Sequence, residues 1–152
     1  MDKQKLILEQ IDRKILQLKK IEDLTIPPSG WIYAIRQALG MSLRQLGNKI
    51  GITPQSVKEI EVREKNGTIS LNVLRQFGKS LDLKLVYGFI PKHGSLEKII
   101  EKRAEEIARE IVNRTSTSMK LEDQENNPKR IKKAIIDKTN EIKLEMPKYL
   151  WD

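Results

Sequence analysis

Cysteine is absent from the 152 residues, and histidine occurs once. Without thiols the chain can form neither a disulfide nor a thiolate metal site, and one imidazole cannot build a histidine-based site. No cofactor and no metal is therefore expected. Aromatic residues are sparse, with two Trp, three Tyr and two Phe. No apolar run approaches the roughly 18 residues of a membrane span. The opening Met-Asp-Lys-Gln-Lys lacks the apolar core of a secretory signal. The expectation is a cytoplasmic, nucleoid-associated protein with no membrane partner. There is no nucleophile–base pair, phosphate-cradling glycine loop or metal cluster to be read from the residues, so no enzyme is expected.

Charge is what the chain has in quantity, and its sign is unevenly placed. The formal net charge is +8. Residues 31–94 hold ten Lys/Arg against four Asp/Glu, a net of +6, whereas residues 1–30 and 95–152 carry +1 each. A middle segment with concentrated positive charge suits a surface that meets phosphates. The length suits one domain with extensions, or one domain plus a helical appendage. Composition and breaks divide it into 1–28, 29–92 and 93–152: an amphipathic helix with a proline linker, a central domain, and a C-terminal helical region.

The most informative stretch runs from Gly40 to Glu61. Ser42 is a natural N-cap, and Leu43, Leu46 and Ile50 give the helix after it one apolar face. Gly51 can take the positive φ needed to stop that helix and turn the chain. Thr53 caps a second helix with Pro54 at its first position, and Val57 and Ile60 point inward. Helix, glycine turn, capped helix is the helix-turn-helix plan, in which the second helix enters the DNA major groove.

Around this core the pattern is mainly helical. Residues 2–24 read as an amphipathic helix through Leu8, Ile11, Ile15 and Leu18. It is either an arm packed on its own domain or a helix exchanged between two copies. Thr25-Ile-Pro-Pro-Ser-Gly30 follows as a stiff linker. Trp31–Leu39 is the domain's first helix, with Ile32, Ile35 and Leu39 inward and Trp31 read as packing. Val62–Ile69 is a polar loop with an Asn-Gly turn signal. Ser70 caps a helix in which Leu71, Leu74, Phe77, Gly78 and Leu81 close the core. Leu83, Leu85, Tyr87 and Phe89 then alternate with Lys84, Val86 and Gly88, which is a strand signal over 83–90. A lone strand cannot stand by itself, so this one is expected to pair with its copy in a homodimer through Leu83, Leu85, Val86, Tyr87 and Phe89. Ser95 starts a helix to about Asn113, Thr115–Ser118 is a polar joint, and Asn127-Pro128 opens a last helix with Ile131, Ile135, Ile136 and Ile142 inward. The closing Tyr149-Leu-Trp151 should dock.

Ser42, Leu46, Gly47, Ile50, Gly51, Ile52, Thr53, Val57, Ile60 and Glu61 all fall on the motif of the Cro/CI-type (Xre) helix-turn-helix family, which the chain resembles. The resemblance implies that Arg36, in the preceding helix, forms a structural ion pair with Glu61. It also implies a chain segment after the recognition helix that runs beside the DNA backbone. The partner expected is a double-stranded operator. Base contacts are assigned to Thr53, Gln55, Ser56, Lys58 and Glu59, with Gln55 matched to adenine, Glu59 to a cytosine edge and Lys58 to either a guanine edge or a phosphate. Phosphate contacts are assigned to Ser42, Arg44, Arg63 and Lys65.

The motif followed by a strand is similar to HipB-like antitoxins, which dimerise through that strand. Gly30-Trp31-Ile32-x-Ala-Ile-Arg36, Leu85-Val-Tyr87, Met119-x-Leu-Glu122-x-Gln124 and Leu150-Trp-Asp152 resemble the family called mobile mystery protein A. That resemblance implies a mobile-element regulator with a Fic-domain protein as partner. Two functions stay open: an autorepressing transcriptional regulator, or an inhibitor that silences the Fic-domain protein by contact. Fic inhibitors carry Ser/Thr-x-x-x-Glu-(Gly/Asn), and Ser118-Met-Lys-Leu-Glu122-Asp123 fits five positions and departs at the sixth.

Overall fold

A computed structural model describes the backbone of residues 3–121 and 127–152, and the side chains of 3–117 and 127–152. The chain divides into two compact units: Ile21–Gly88, and Met1–Lys20 together with Phe89–Asp152. Among the described residues all regular structure is helical.

The Ile21–Gly88 unit holds four helices: α2 (Trp31–Ala38), α3 (Leu43–Ile50), α4 (Pro54–Asn66) and α5 (Leu71–Ser80). Three of the four begin at a hydroxyl cap, because Ser42, Thr53 and Ser70 each accept a backbone N–H three residues on. The inward faces supply Ile32, Leu46, Val57, Ile60 and Phe77, with Ile35, Ile50, Ile52, Val73, Leu74 and Leu81 packed around them. Two residues read as core lie outside it. Leu39 is the C-cap of α2 and exposed, and Leu71 is exposed in the first turn of α5. Trp31, read as packing, is also exposed. Each sits at a helix end, where the chain direction changes and the 3.6-residue period no longer assigns a face.

Two local expectations are corrected here. The loop expected from Val62 is helical to Asn66, and α4 stops only where Gly67 turns left-handed at φ 77°. Polarity does not distinguish the two, since this stretch is the exposed end of a helix with three consecutive good helix formers, Arg63, Glu64 and Lys65, after the β-branched Val62. The strand expected over 83–90 is not seen: the segment has no regular structure, and no ladder pairs with it among the described residues. It leaves α5 with Leu83 N–H donating to Gly78 O at 2.7 Å, then runs with Leu85 half-buried and Leu83, Val86, Tyr87 and Phe89 exposed. Alternation predicts which faces a strand would have, but the strand itself needs a neighbour, and the surrounding elements are helices.

The other unit packs α1 (Lys3–Leu18), α6 (Leu96–Leu121) and α7 (Pro128–Glu145). Ile100, Ala104, Ile107, Ala108, Ile135, Ile142 and Leu150 form its buried core cluster, with Leu8 packed against them. The two alanines let α6 approach its neighbours closely. Ile136, expected inward, is exposed. The polar joint expected at Thr115–Ser118 is absent, because α6 runs straight through it. Thr115 and Thr117 hydroxyls donate to the carbonyls of Ile111 and Asn113, at 3.0 and 2.9 Å, which absorbs their polar groups inside the helix. The Asp12 carboxylate of α1 accepts the N–H groups of Leu96 and Glu97 and so caps α6 from outside its own sequence. The C-terminal turn is docked, with Leu150 1% exposed and Arg103 donating to the Leu150 and Asp152 carbonyls at 2.6 Å each.

Candidate nucleic-acid interface

The geometry of the α3–α4 pair follows from its two caps and the turn between them. Ser42 Oγ accepts the Gln45 N–H at 3.1 Å while Gln45 Oε1 accepts the Ser42 N–H at 2.8 Å, a reciprocal capping box. Gly51, at φ 86°, closes α3, and its N–H and that of Ile52 both donate to Gly47 O. A left-handed residue at this point reverses the chain within three residues, and glycine takes that conformation without steric cost. Thr53 Oγ1 then accepts the Ser56 N–H at 3.1 Å and donates to Ser56 Oγ at 2.9 Å. The first turn of α4 is therefore fixed from its own side chains.

On α4 the helical period separates two faces. Val57, Ile60, Glu61 and Glu64 turn inward, the first three buried and the last half-buried. Gln55, Lys58, Glu59, Val62 and Arg63 are exposed, at spacings of three and four that set them along one side. Thr53 is exposed and Ser56 half-buried at the N-terminal end of the same helix.

The acidic residues of α4 are handled in a way that decides the charge of the outer face. Glu61 is buried and accepts from Arg36, Nε to Oε2 at 2.7 Å and Nη2 to Oε1 at 3.0 Å. Arg36 Nη1 donates to Met41 O at 3.0 Å, and its guanidinium lies 5.3 Å from the Tyr33 ring centroid. The hydrogen bonds to Glu61 hold the Arg36 pKa above its usual value, so this cation stays charged. Glu64 accepts the N–H groups of Trp31 at 2.9 Å and Ile32 at 2.8 Å. Two of the three carboxylates between Gly40 and Gly67 are thus committed to internal partners. Outward there remain Arg44, Lys49, Lys58, Arg63 and Lys65 against Glu59 alone, all exposed. The outer face of this pair of helices is strongly basic, more so than the residue count of the segment indicates.

Residues 32–87 match the family model described as helix-turn-helix, of the Cro/CI type. Within this segment α3, the Gly51 turn and α4 have the helix-turn-helix arrangement. The match covers a little over a third of the chain, and neither the comparison with curated proteins nor that with solved structures returns a match. In a helix-turn-helix the second helix of the pair is the one that enters the major groove, and α4 holds that second position after α3.

The structure brings Thr53, Gln55, Ser56, Lys58 and Glu59 together on α4. Arg63 and Lys65 sit in the last turns of the same helix rather than in a loop, and Arg44 is exposed on the first turn of α3. Ser42 is exposed, with its hydroxyl already engaged in the capping box. The Ser118 side chain and Glu122, the proposed Fic-inhibition pair, lie outside the described residues. Glu64 was not singled out from sequence. Its signal was indirect: α2 starts at Gly30, which offers no side chain to cap the helix, so the acceptor had to come from elsewhere. No group of three or more His, Cys, Asp or Glu among the described residues could hold a metal, and no described helix is long and apolar enough to cross a membrane.

Proposed function

We propose that the protein is a sequence-specific regulator that binds a double-stranded operator through α4 and represses transcription. The observation that supports it most is the charge separation on α4, with Glu61 and Glu64 drawn inward and Lys58 and Arg63 left outward beside Gln55. Gln55, in the first turn, carries the donor and acceptor pair that matches adenine in the major groove. Lys58 and Glu59 read base edges one turn on, with Thr53 and Ser56 lining the entrance. Arg44, Arg63 and Lys65 neutralise phosphates and set register without reading sequence. Ser42 marks the N-terminus of α3, where the first-turn amides of Leu43 and Arg44 are left to meet a phosphate.

A homodimer presents two recognition helices to two half-sites. The exposed apolar side chains of Leu83, Val86, Tyr87 and Phe89 support this segment as the surface that joins the copies. The sequence resemblance supports the further reading that the repressed promoter is its own and that a Fic-domain protein is its partner.

The test is a pair of substitutions on a footprinted operator. Gln55→Ala should cost about 1–3 kcal/mol and relax preference at one base position. Arg63→Ala should weaken binding to all sequences alike and lower the salt slope by about one. If Gln55→Ala leaves affinity and selectivity unchanged, α4 is not the reading helix.

A further inference from the structure

The near-neutral total of residues 95–152 conceals a segregation of charge in space. On one side of α6, the chain leading into it and the C-terminal turn enclose a groove of about 680 Å³. Four of its lining residues are cations, Lys92, Lys98, Lys102 and Arg103, against one carboxylate, Glu106. Glu106 is already paired with Arg103 at 3.2 Å. Lys98 lies 3.4 Å from Glu101, whereas Lys92 and Lys102 have no ion pair among the described residues. The groove therefore keeps uncompensated positive charge. The first amides of α6 are satisfied by Asp12 and Ser95, so any attraction for an anion comes from these side chains and not from the helix end.

Beside the lysines the groove is lined by two exposed apolar side chains, Ile99 and Trp151. Arg103 holds the backbone of the C-terminal turn at two carbonyls, and Leu150 is buried beneath it. That anchoring fixes Trp151 at the groove with 59% of its surface open, next to Ile99 at 45%. The indole is thus held open on a docked backbone. Lysines beside an open aromatic face are what an unpaired base and its phosphate require, the ring stacking and the cations neutralising. The volume is in the range of small-ligand sites, room for a nucleotide or two and not for a duplex.

We infer that this groove binds a phosphorylated nucleoside, stacking its base on Trp151 and holding its phosphates with Lys92, Lys98 and Lys102. The ligand is either a free nucleotide or one unit of a single-stranded nucleic acid. The inference stands apart from operator binding by α4, which uses other residues on the other unit. An acidic protein segment would use the lysines but gain nothing particular from the flat indole face.

The full-length chain carrying Trp31→Phe leaves Trp151 as the sole indole, so its fluorescence reports the groove directly. Titration uses ATP in one arm, an oligothymidylate of eight nucleotides in a second, and polyglutamate as a charge-only control. Saturable quenching by ATP, by the oligonucleotide, or by both supports the site, and the tighter arm identifies the source. Lys92→Ala with Lys102→Ala should weaken that ligand at least tenfold, with helix content by circular dichroism unchanged. Followed with a labelled ligand, Trp151→Leu should lose at least fivefold and Trp151→Phe should stay within about twofold of the parent, which separates stacking from undocking of the tail. Absence of quenching in both nucleotide arms overturns the inference. So does polyglutamate binding as tightly as the oligonucleotide, which would assign the groove to an acidic protein partner.

Discussion

Replacing Arg36 with alanine tests the internal logic of the helix-turn-helix unit. The substitution removes both hydrogen bonds to Glu61, the bond to Met41 O that steadies the turn between α2 and α3, and the contact with Tyr33. Glu61, 7% exposed, is left as a buried carboxylate with its cation gone. Breaking a buried pair in this one-sided way costs about 3–5 kcal/mol. The Ile21–Gly88 unit spans 68 residues, and at 0.05–0.15 kcal/mol per residue its whole stability is about 3–10 kcal/mol. The loss is therefore comparable with the total. Arg36→Leu combined with Glu61→Leu removes both charges and should recover most of it, to within about 2 kcal/mol of the parent. The assay is urea unfolding in a Trp151→Phe background, so that Trp31, on α2, reports this unit alone. With a slope near 1 kcal/mol/M, Arg36→Ala should lower the midpoint by about 3 M or leave the unit unfolded in buffer. A midpoint within about 0.5 M of the parent would refute the reasoning, and so would a double variant that is worse than the single one.

Glu64→Ala should cost about 0.5–2 kcal/mol by the same urea assay, because it uncaps Trp31 and Ile32, while Glu64→Gln, which keeps one acceptor oxygen, should lose less. Glu101 is held below the usual carboxylate range by its hydrogen bond from Lys98 and the nearby Lys143. A depressed carboxylate stabilises above its unfolded pKa of about 4.3 and loses that contribution as pH falls through the folded value. The deficit of Glu101→Gln should thus be seen at pH 7, stay below about 1 kcal/mol as for other exposed pairs, and fade once the pH falls through the lowered folded value. Val86→Glu with Phe89→Glu, both at open positions, should leave helix content intact and yield a monomer by sedimentation. An intact dimer would move the contact between copies away from residues 83–90.

What the sequence discloses well is what a residue settles with its near neighbours. Ser42, Thr53 and Ser70 each cap the helix that begins beside them, and Gly51 turns the chain where its own φ permits. Those events span at most a few residues, so spacing alone locates them. The end of α4 is hidden in the sequence because an exposed helix terminus and a solvated loop share a composition, and the stop belongs to Gly67. The continuity of α6 through Thr115–Ser118 was hidden for a similar reason. A hydroxyl that bonds back to the carbonyl four residues earlier looks, in sequence, like one that breaks a helix.

The features that set the charge of each surface are of another kind, since they join residues far apart in the chain. Glu64 caps α2 from thirty-three residues away, and Asp12 caps α6 from eighty-four. Segment totals count these carboxylates as negative surface, yet their charge is spent on helix amides, where the positive end of the dipole already favours it. Subtracting such internal commitments changes the electrostatic reading of both units. The helix-turn-helix face becomes five cations against one carboxylate. On the other unit, a region that sums almost to zero separates into a basic groove and the acids paired beside it. A segment's net charge understates how basic its face is where an acid caps a helix, as Glu64 does, and not where the acid's partner is a cation, as Arg36 is for Glu61.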